Sequence, residues 1–213
     1  MGGKKDTSLE VAENWVEKTI ATYDASAEQL AAYFAGIGPR VADIERAIEL
    51  TGDARPQRVV ELGCGDGRDA AEIVPRVDWY EGVDPSSGLL EIACERLPET
   101  RFVQATAQAY EFPEGLNIVF AFASLLHLSR EENQAVFQHA ANALRPGGVF
   151  FVSLKETEAY EPRLQQDTYG ERMFYYYDVT TVRSLAGAAF SLEYECHQTI
   201  GSTDWMELGF KRS

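Results

Sequence analysis

The chain is 213 residues long, 45% hydrophobic and 25% charged, a composition suited to one substantial soluble α/β domain and too short for two. Acids outnumber bases 34 to 19, for a net charge of −15, and no Lys/Arg cluster interrupts that balance. A phosphate-neutralising surface is thereby disfavoured, so no nucleic acid partner is expected, and no run reaches the roughly 18–20 apolar residues of a membrane span.

Met1–Ser8 reads as a frayed polar end, and Met1–Glu10 lacks the apolar core of a signal peptide, so export is not expected. From Leu9 to Tyr23 the apolar positions Val11, Trp15, Val16 and Ile20 keep near-helical spacing. Asp24 or Ser26 offers a cap for a second helix towards Phe34, which Gly36-Ile37-Gly38-Pro39 stops. Val41, Ile44, Ala47, Ile48 and Leu50 mark a third helix, closed at Thr51-Gly52. These helices occupy residues 1–55. Two roles are open to them, a lid over the glycine loop at Gly63–Gly67 or packing for the sheet.

Residues 56–213 then alternate short strands with helices. Strands are predicted at Val59–Leu62, Trp79–Val83, Arg101–Gln104, Leu116–Ala121 and Val149–Leu154. Helices are predicted over Asp66–Val74, from Pro85-Ser86-Ser87 to before Pro98, and after the capping box Ser129-x-x-Glu132. Such β-α units imply a parallel sheet covered on both faces. Beyond Lys155 the rhythm fails: Glu156–Gly170 is polar and irregular, followed by the cluster Phe174–Tyr177 and a helix over Val179–Ala189. Phe190–Thr199 and Thr203–Lys211 are expected to close the chain as an antiparallel hairpin. Cys64, Cys94 and Cys196 are widely spaced with no C-x-x-C, so neither a disulfide framework nor a metal site is expected, and a reducing cytoplasmic setting fits.

The chemistry concentrates at Val59–Ala71, where an apolar strand breaks into Gly63, Gly65 and Gly67 and resumes as a helix. With Asp84 downstream, this is the pattern of an α/β domain that binds an adenosine-bearing cofactor. A dinucleotide fingerprint requires a third glycine where Arg68 stands, and an arginine there fits poorly with a pyrophosphate against the helix.

E-L-G-C-G-x-G at Glu61–Gly67 instead resembles motif I of the class I S-adenosylmethionine-dependent methyltransferases. Asp84 in G-V-D-P-S resembles that family's ribose-binding acid at the end of strand two. F-V-Q-A-T-A-Q-A-Y-E-F-P resembles the adenine segment, with Thr106 where an Asp is common. The strand-four motif comes next, with Asn117 where Asp is usual, and then L-R-P-G-G before strand five. The likeness runs from about Tyr23 to Phe210. It is greatest to small bacterial methyltransferases of the type 11/12 and tellurite-resistance-like kind, through Y-D-A-S-A, G-R-D-A, S-L-L-H-L-S-R, V-S-L-K-E and R-M-F-Y-Y-Y.

The resemblance implies a Rossmann-like, doubly wound, mostly parallel seven-stranded sheet with an antiparallel last strand and an N-terminal helical lid. It implies S-adenosylmethionine held by Tyr23, Glu61, Gly63, Cys64, Gly65, Arg68, Asp84, Pro85, Thr106, Ala107, Ala121 and Ala123. Glu61 is a candidate for the cofactor's ammonium and Arg68 for a clamp on its carboxylate; a solvated acid and a surface arginine are the alternatives. Tyr23 either closes over the cofactor or packs. His127 is a candidate general base, although a histidine held by backbone to shape its loop is commoner. Lys155, Tyr175, Tyr177 and His127 are candidate acceptor contacts; strand alternation explains the tyrosines without function. The implied activity is methyl transfer by in-line displacement to a small molecule, and the acidic surface leans towards a neutral or cationic one. A nicotinamide-dependent oxidoreductase and a non-catalytic S-adenosylmethionine-binding module are the rival readings. The acceptor, the need for a base and the oligomeric state are not legible.

Overall fold

The computed structural model describes residues 7–53, 55 and 58–213, with side chains from residue 15 onward. Most of the expected frayed end and the side chain of Val11 lie outside the described residues. Three helices come first: α1 (Thr7–Ala25), α2 (Ala27–Ile37) and α3 (Val41–Thr51). The alternating part continues as β1 (Arg58–Leu62), α4 (Ala70–Ile73), β2 (Trp79–Asp84), α5 (Ser87–Arg96), β3 (Arg101–Gln104), β4 (Leu116–Phe122), α6 (Arg130–Ala143) and β5 (Leu144–Lys155). The chain ends with β6 (Glu161–Asp167), β7 (Gly170–Tyr176), α7 (Val179–Ala186), β8 (Phe190–Ile200) and β9 (Thr203–Arg212).

Seven strands form one sheet in the order β3-β2-β1-β4-β5-β9-β8, parallel except for β9. The predicted doubly wound sheet with an antiparallel last strand is therefore present, closed by the expected β8–β9 hairpin. Strand alternation sorts the core onto the two faces. Val60, Leu62, Val119, Ala121, Phe150 and Val152 face one way, among residues of α6 and α7. Val59, Ile118, Phe120, Val149 and Phe151 face the other, with Ile44 and Ala47 of α3. Because both faces are covered, these strands read as unbroken apolar runs rather than as alternation. The strand order reverses between β1 and β4, the switch point at which such sheets bind ligands.

The two roles open to the N-terminal helices are divided among them. α3 packs on the sheet, whereas α1 meets β7 and α2 meets α5, over the carboxyl ends of the strands. Neither expected cap closes α2. Ser26 Oγ donates to the Tyr169 carbonyl at 3.0 Å, and Asp24 reaches the start of α5, accepting from Ser86 Oγ at 2.7 Å and the Gly88 amide at 3.1 Å. Both side chains thus tie the helices to distant segments.

Two local expectations fail. The helix predicted from Asp66 begins only at Ala70 and tightens into a 3-10 turn at Val74–Arg76, where Pro75 has no amide to continue it. Asp66 and Asp69 are held by Arg96 and Arg68, and the intervening chain stays in turns. The stretch expected to be irregular, Glu156–Gly170, contains β6, which pairs with β7 in a separate two-stranded sheet. β6 buries neither face, and its one large apolar side chain, Leu164, is exposed, so it carries no period-two signal; its partner and the Asp167–Gly170 turn define it.

Candidate active site

The site lies at the carboxyl ends of β1, β2 and β4. Gly63, at φ +73°, leaves β1 so close to the β4 loop that a Cβ there would lie 2.2 Å from Ser124 Cβ. Ser124 Oγ closes the junction by donating to the Leu62 carbonyl at 2.7 Å. Ala123, beside it, has φ +50°, the sole positive value at a non-glycine among the described residues. That strained conformation is held by its amide, which donates to Ser153 Oγ at 3.0 Å. Gly65 differs from Gly63: at φ +54° its missing side chain would meet nothing nearer than Leu89 Cδ1 at 3.9 Å. The loop presents open backbone there.

Asp84 ends β2 beneath that opening. Its carboxylate accepts the Gly65 amide at 2.9 Å and the Ser86 amide at 2.8 Å. Burial pushes its pKa up to about 6, although both amides favour the charged form. A carboxylate has roughly four lone-pair directions, so acceptor capacity remains for hydroxyl groups. Thr106 Oγ1 receives the Ala109 amide at 3.3 Å in the turn that carries Ala107, and Pro85 offers its carbonyl to Gln104 Nε2 at 3.3 Å. Ala121 is wholly buried in β4, and Cys64 is 5% exposed behind the loop.

Glu61 is 1% exposed and accepts the Tyr80 hydroxyl at 2.5 Å; burial and nearby Asp69 hold its carboxyl well above the usual range. Arg68 does not extend as a free clamp. Its guanidinium forks onto Asp69, Nε to Oδ1 at 3.2 Å and Nη2 to Oδ2 at 2.5 Å, beneath the Phe34 ring of α2. Asp69 also takes the Arg40 amide at 2.9 Å. The bidentate geometry foreseen for a ligand is occupied within the protein.

Next to this opening, α1, the β4 loop, β5 and β7 converge. Tyr23 Oη and His127 Nε2 are 2.8 Å apart, and His127 Nδ1 lies 2.7 Å from the Met173 carbonyl. A carbonyl only accepts, so Nδ1 carries the proton and bare Nε2 accepts the Tyr23 hydroxyl. Burial, with Arg172 and Lys155 adding positive charge, lowers the His127 pKa to about 3. The imidazole is therefore neutral at physiological pH and a weak base. Lys155 Nζ lies 3.6 Å from the Phe174 ring centre, and Arg172 sits over the rings of Tyr23 and Phe174 at 5.3 and 5.4 Å.

The tyrosines expected at this site face away from it. Tyr175 stacks on Tyr160, with centroids 6.1 Å apart and planes at 8°. Tyr177 is fully buried, donates to the Leu128 carbonyl at 2.7 Å and accepts from Asn133 Nδ2 at 2.7 Å. Side chains of a strand alternate, so β7 turns Arg172, Phe174 and Tyr176 towards Lys155 and its odd-numbered neighbours away. Arg172, Phe174 and Tyr176 are the residues that sequence reasoning missed. Their i, i+2, i+4 spacing in R-M-F-Y-Y was the available signal, but nothing local said which parity faced inward.

Residues 59–148 match the methyltransferase domain family. That match covers less than half of the chain, and over it the chain is similar to methyltransferase domains. The solved structures that it resembles include S-adenosylmethionine-dependent methyltransferases. A trans-aconitate 2-methyltransferase of Rhodopseudomonas palustris is 35% identical over 105 residues, covering 47% of this chain and 40% of that protein. The chain thus spans less than half the length of the curated relative it matches. Among solved structures, a methyltransferase of Leishmania major aligns with a TM-score of 0.72 at 14% identity, over 92% of this chain and 83% of that one. One from Clostridium acetobutylicum aligns at 0.64 and 13%, over 80% and 89%. At the carboxyl ends of the strands in this chain, the open backbone at Gly65 lies against the buried acid Asp84.

Among the described residues no helix is long and apolar enough to cross a membrane.

Proposed function

We propose that this chain transfers a methyl group from S-adenosylmethionine to a small-molecule acceptor. The observation that carries the reading is the pairing of Gly65, open where a Cβ would stand, with Asp84, whose buried carboxylate retains acceptor capacity. Asp84 takes the ribose hydroxyls; Pro85, Thr106 and Ala107 border the adenine; Gly63 and Ala123 line the remaining wall, backed by the buried Cys64 and Ala121. Glu61 and Arg68 act from behind the loop, through Tyr80 and Asp69, and orient the backbone that meets the amino-acid part of the cofactor. When bound, S-adenosylmethionine supplies a methyl group already activated on a sulfonium, so the protein's work is alignment and exclusion of water.

His127 is then a positioning residue. With Nδ1 anchored on the Met173 carbonyl, its Nε2 fixes the Tyr23 hydroxyl between the Asp84 side and the β7 side of the site. Its low pKa argues against proton removal from the acceptor.

The test is calorimetric titration with S-adenosylhomocysteine and with NADH, followed by turnover assays beginning with trans-aconitate, the acceptor named for the relatives. Binding of the first ligand alone, with formation of S-adenosylhomocysteine from S-adenosylmethionine in the acceptor screen, is expected. NADH binding in its place would return the oxidoreductase reading; binding without turnover of any acceptor would favour a non-catalytic module. In the same assay His127→Ala is expected to raise KM with little loss of kcat, the opposite of what loss of a general base produces.

A further inference from the structure

β7 and the end of β5 lie beyond residue 148, where the matched domain ends, so the family says nothing about this part of the site. The charge here runs against that of the molecule. In a chain of net charge −15, Lys155, Arg163 and Arg172 gather on one face of the β6–β7 hairpin. Arg163 pairs with Glu161 at the exposed rim, over the Tyr176 ring. Arg172 is deeper: 7% exposed, it directs one nitrogen to Asp167 and another weakly to the Tyr23 hydroxyl at 3.5 Å. Its Nε is buried without a hydrogen-bond partner. Lys155 makes no ion pair among the described residues; its ammonium contacts the neutral Gln165 Oε1 at 3.2 Å. Two neighbouring cations with one carboxylate between them, one donor unused and aromatic walls around them are costly to bury unless an anion completes the set.

We infer that the acceptor of this enzyme carries an oxyanion, a carboxylate or a phosphoryl group, gripped by Arg172 and Lys155 against the Phe174 and Tyr176 rings. This deepens the methyl-transfer reading and rests on it. It reverses the lean towards a neutral or cationic acceptor that the overall charge suggests, because acceptor choice follows the local field and not the net charge. The Arg172 Nε–H meets one oxygen and the Lys155 ammonium another. Tyr23, which stands between Arg172 and His127, brings the rest of the acceptor towards the Asp84 side.

The experiment is titration of the protein saturated with S-adenosylhomocysteine, using malonate, trans-aconitate, methylphosphonate, dimethyl malonate and ethylenediamine as probes. One or more anions should bind, with the neutral diester and the diamine at least about tenfold weaker, the worth of a charge-assisted hydrogen bond. Carboxylates and methylphosphonate are separate arms, and whichever binds tighter names the source. Lys155→Met should weaken the preferred anion by at least about tenfold and leave S-adenosylhomocysteine within twofold; Arg172→Lys, which keeps the charge of the buried site, should weaken it by less than Arg172→Gln. Equal binding of the diester or diamine, or unchanged anion affinity in Lys155→Met and Arg172→Gln, would overturn the inference. Failure of S-adenosylhomocysteine itself to bind would instead overturn the reading on which it rests, so the two failures are distinguishable.

Discussion

At the residue scale, Asp84 combines burial with two backbone donors, and the balance leaves its pKa near 6. A hydroxyl donates to the ionised form, so the sign is definite: cofactor affinity should be full above about pH 6 and fall as pH drops through that value, when the carboxyl protonates. Asp84→Asn should weaken S-adenosylhomocysteine by roughly 10- to 150-fold, the equivalent of about 1.5–3 kcal/mol, and flatten the pH profile between 5 and 7. Titrations at four pH values on both proteins check it, and an unchanged slope in the variant would assign the titration elsewhere. Ser124 and Gly63 illustrate a different kind of residue. Gly63 is required where β1 meets the β4 loop at a distance no Cβ survives, and the need comes from the neighbour rather than from the ligand.

At the element scale, hydroxyls hold α1 to β7. Thr22 Oγ1 donates to the Glu171 carbonyl at 2.8 Å, Thr19 Oγ1 accepts the Met173 amide at 3.1 Å, and Ser26 reaches Tyr169. Each is worth about 1 kcal/mol, and they act beside the Tyr23–His127 pair and the bonds from Asp24 to the start of α5. Thr19→Val with Thr22→Val should raise amide exchange over residues 19–26 and 170–176 while β1, β4 and β5 keep their protection. Hydrogen-exchange mass spectrometry reads this directly; loss of protection throughout the sheet would show that α1 belongs to the global unfolding unit. The hairpin itself was not legible as an element. β6 has no alternation to detect, and its strand character comes from pairing with the aromatic β7.

At the scale of the whole molecule, two apolar clusters sandwich one sheet, and α3 supplies the cover on one of them. Ile44, at 0% exposure, is the test of that arrangement. Ile44→Ala should cost about 2–5 kcal/mol in urea unfolding, with fluorescence and circular-dichroism transitions still coincident because both faces share the same strands. Separated transitions would mean that the N-terminal helices unfold on their own.

Sequence alone determined the parallel sheet, its strand positions, the closing hairpin and the loop expected to take an adenosine-bearing cofactor. Those come from local causes: unbroken apolar runs between helices, glycines at a strand end and an acid at the next strand end, all readable along the chain. Tertiary structure decided how α1, the β4 loop and β7 meet. Tyr23 and His127 are 104 positions apart and meet only because α1 folds back over the β4 loop. The choice of Arg172, Phe174 and Tyr176 over Tyr175 and Tyr177 is one of parity, fixed by pairing with β6 and by the threonines of α1. A period of two is visible in a sequence, but which of its faces looks inward is set by whatever the strand packs against.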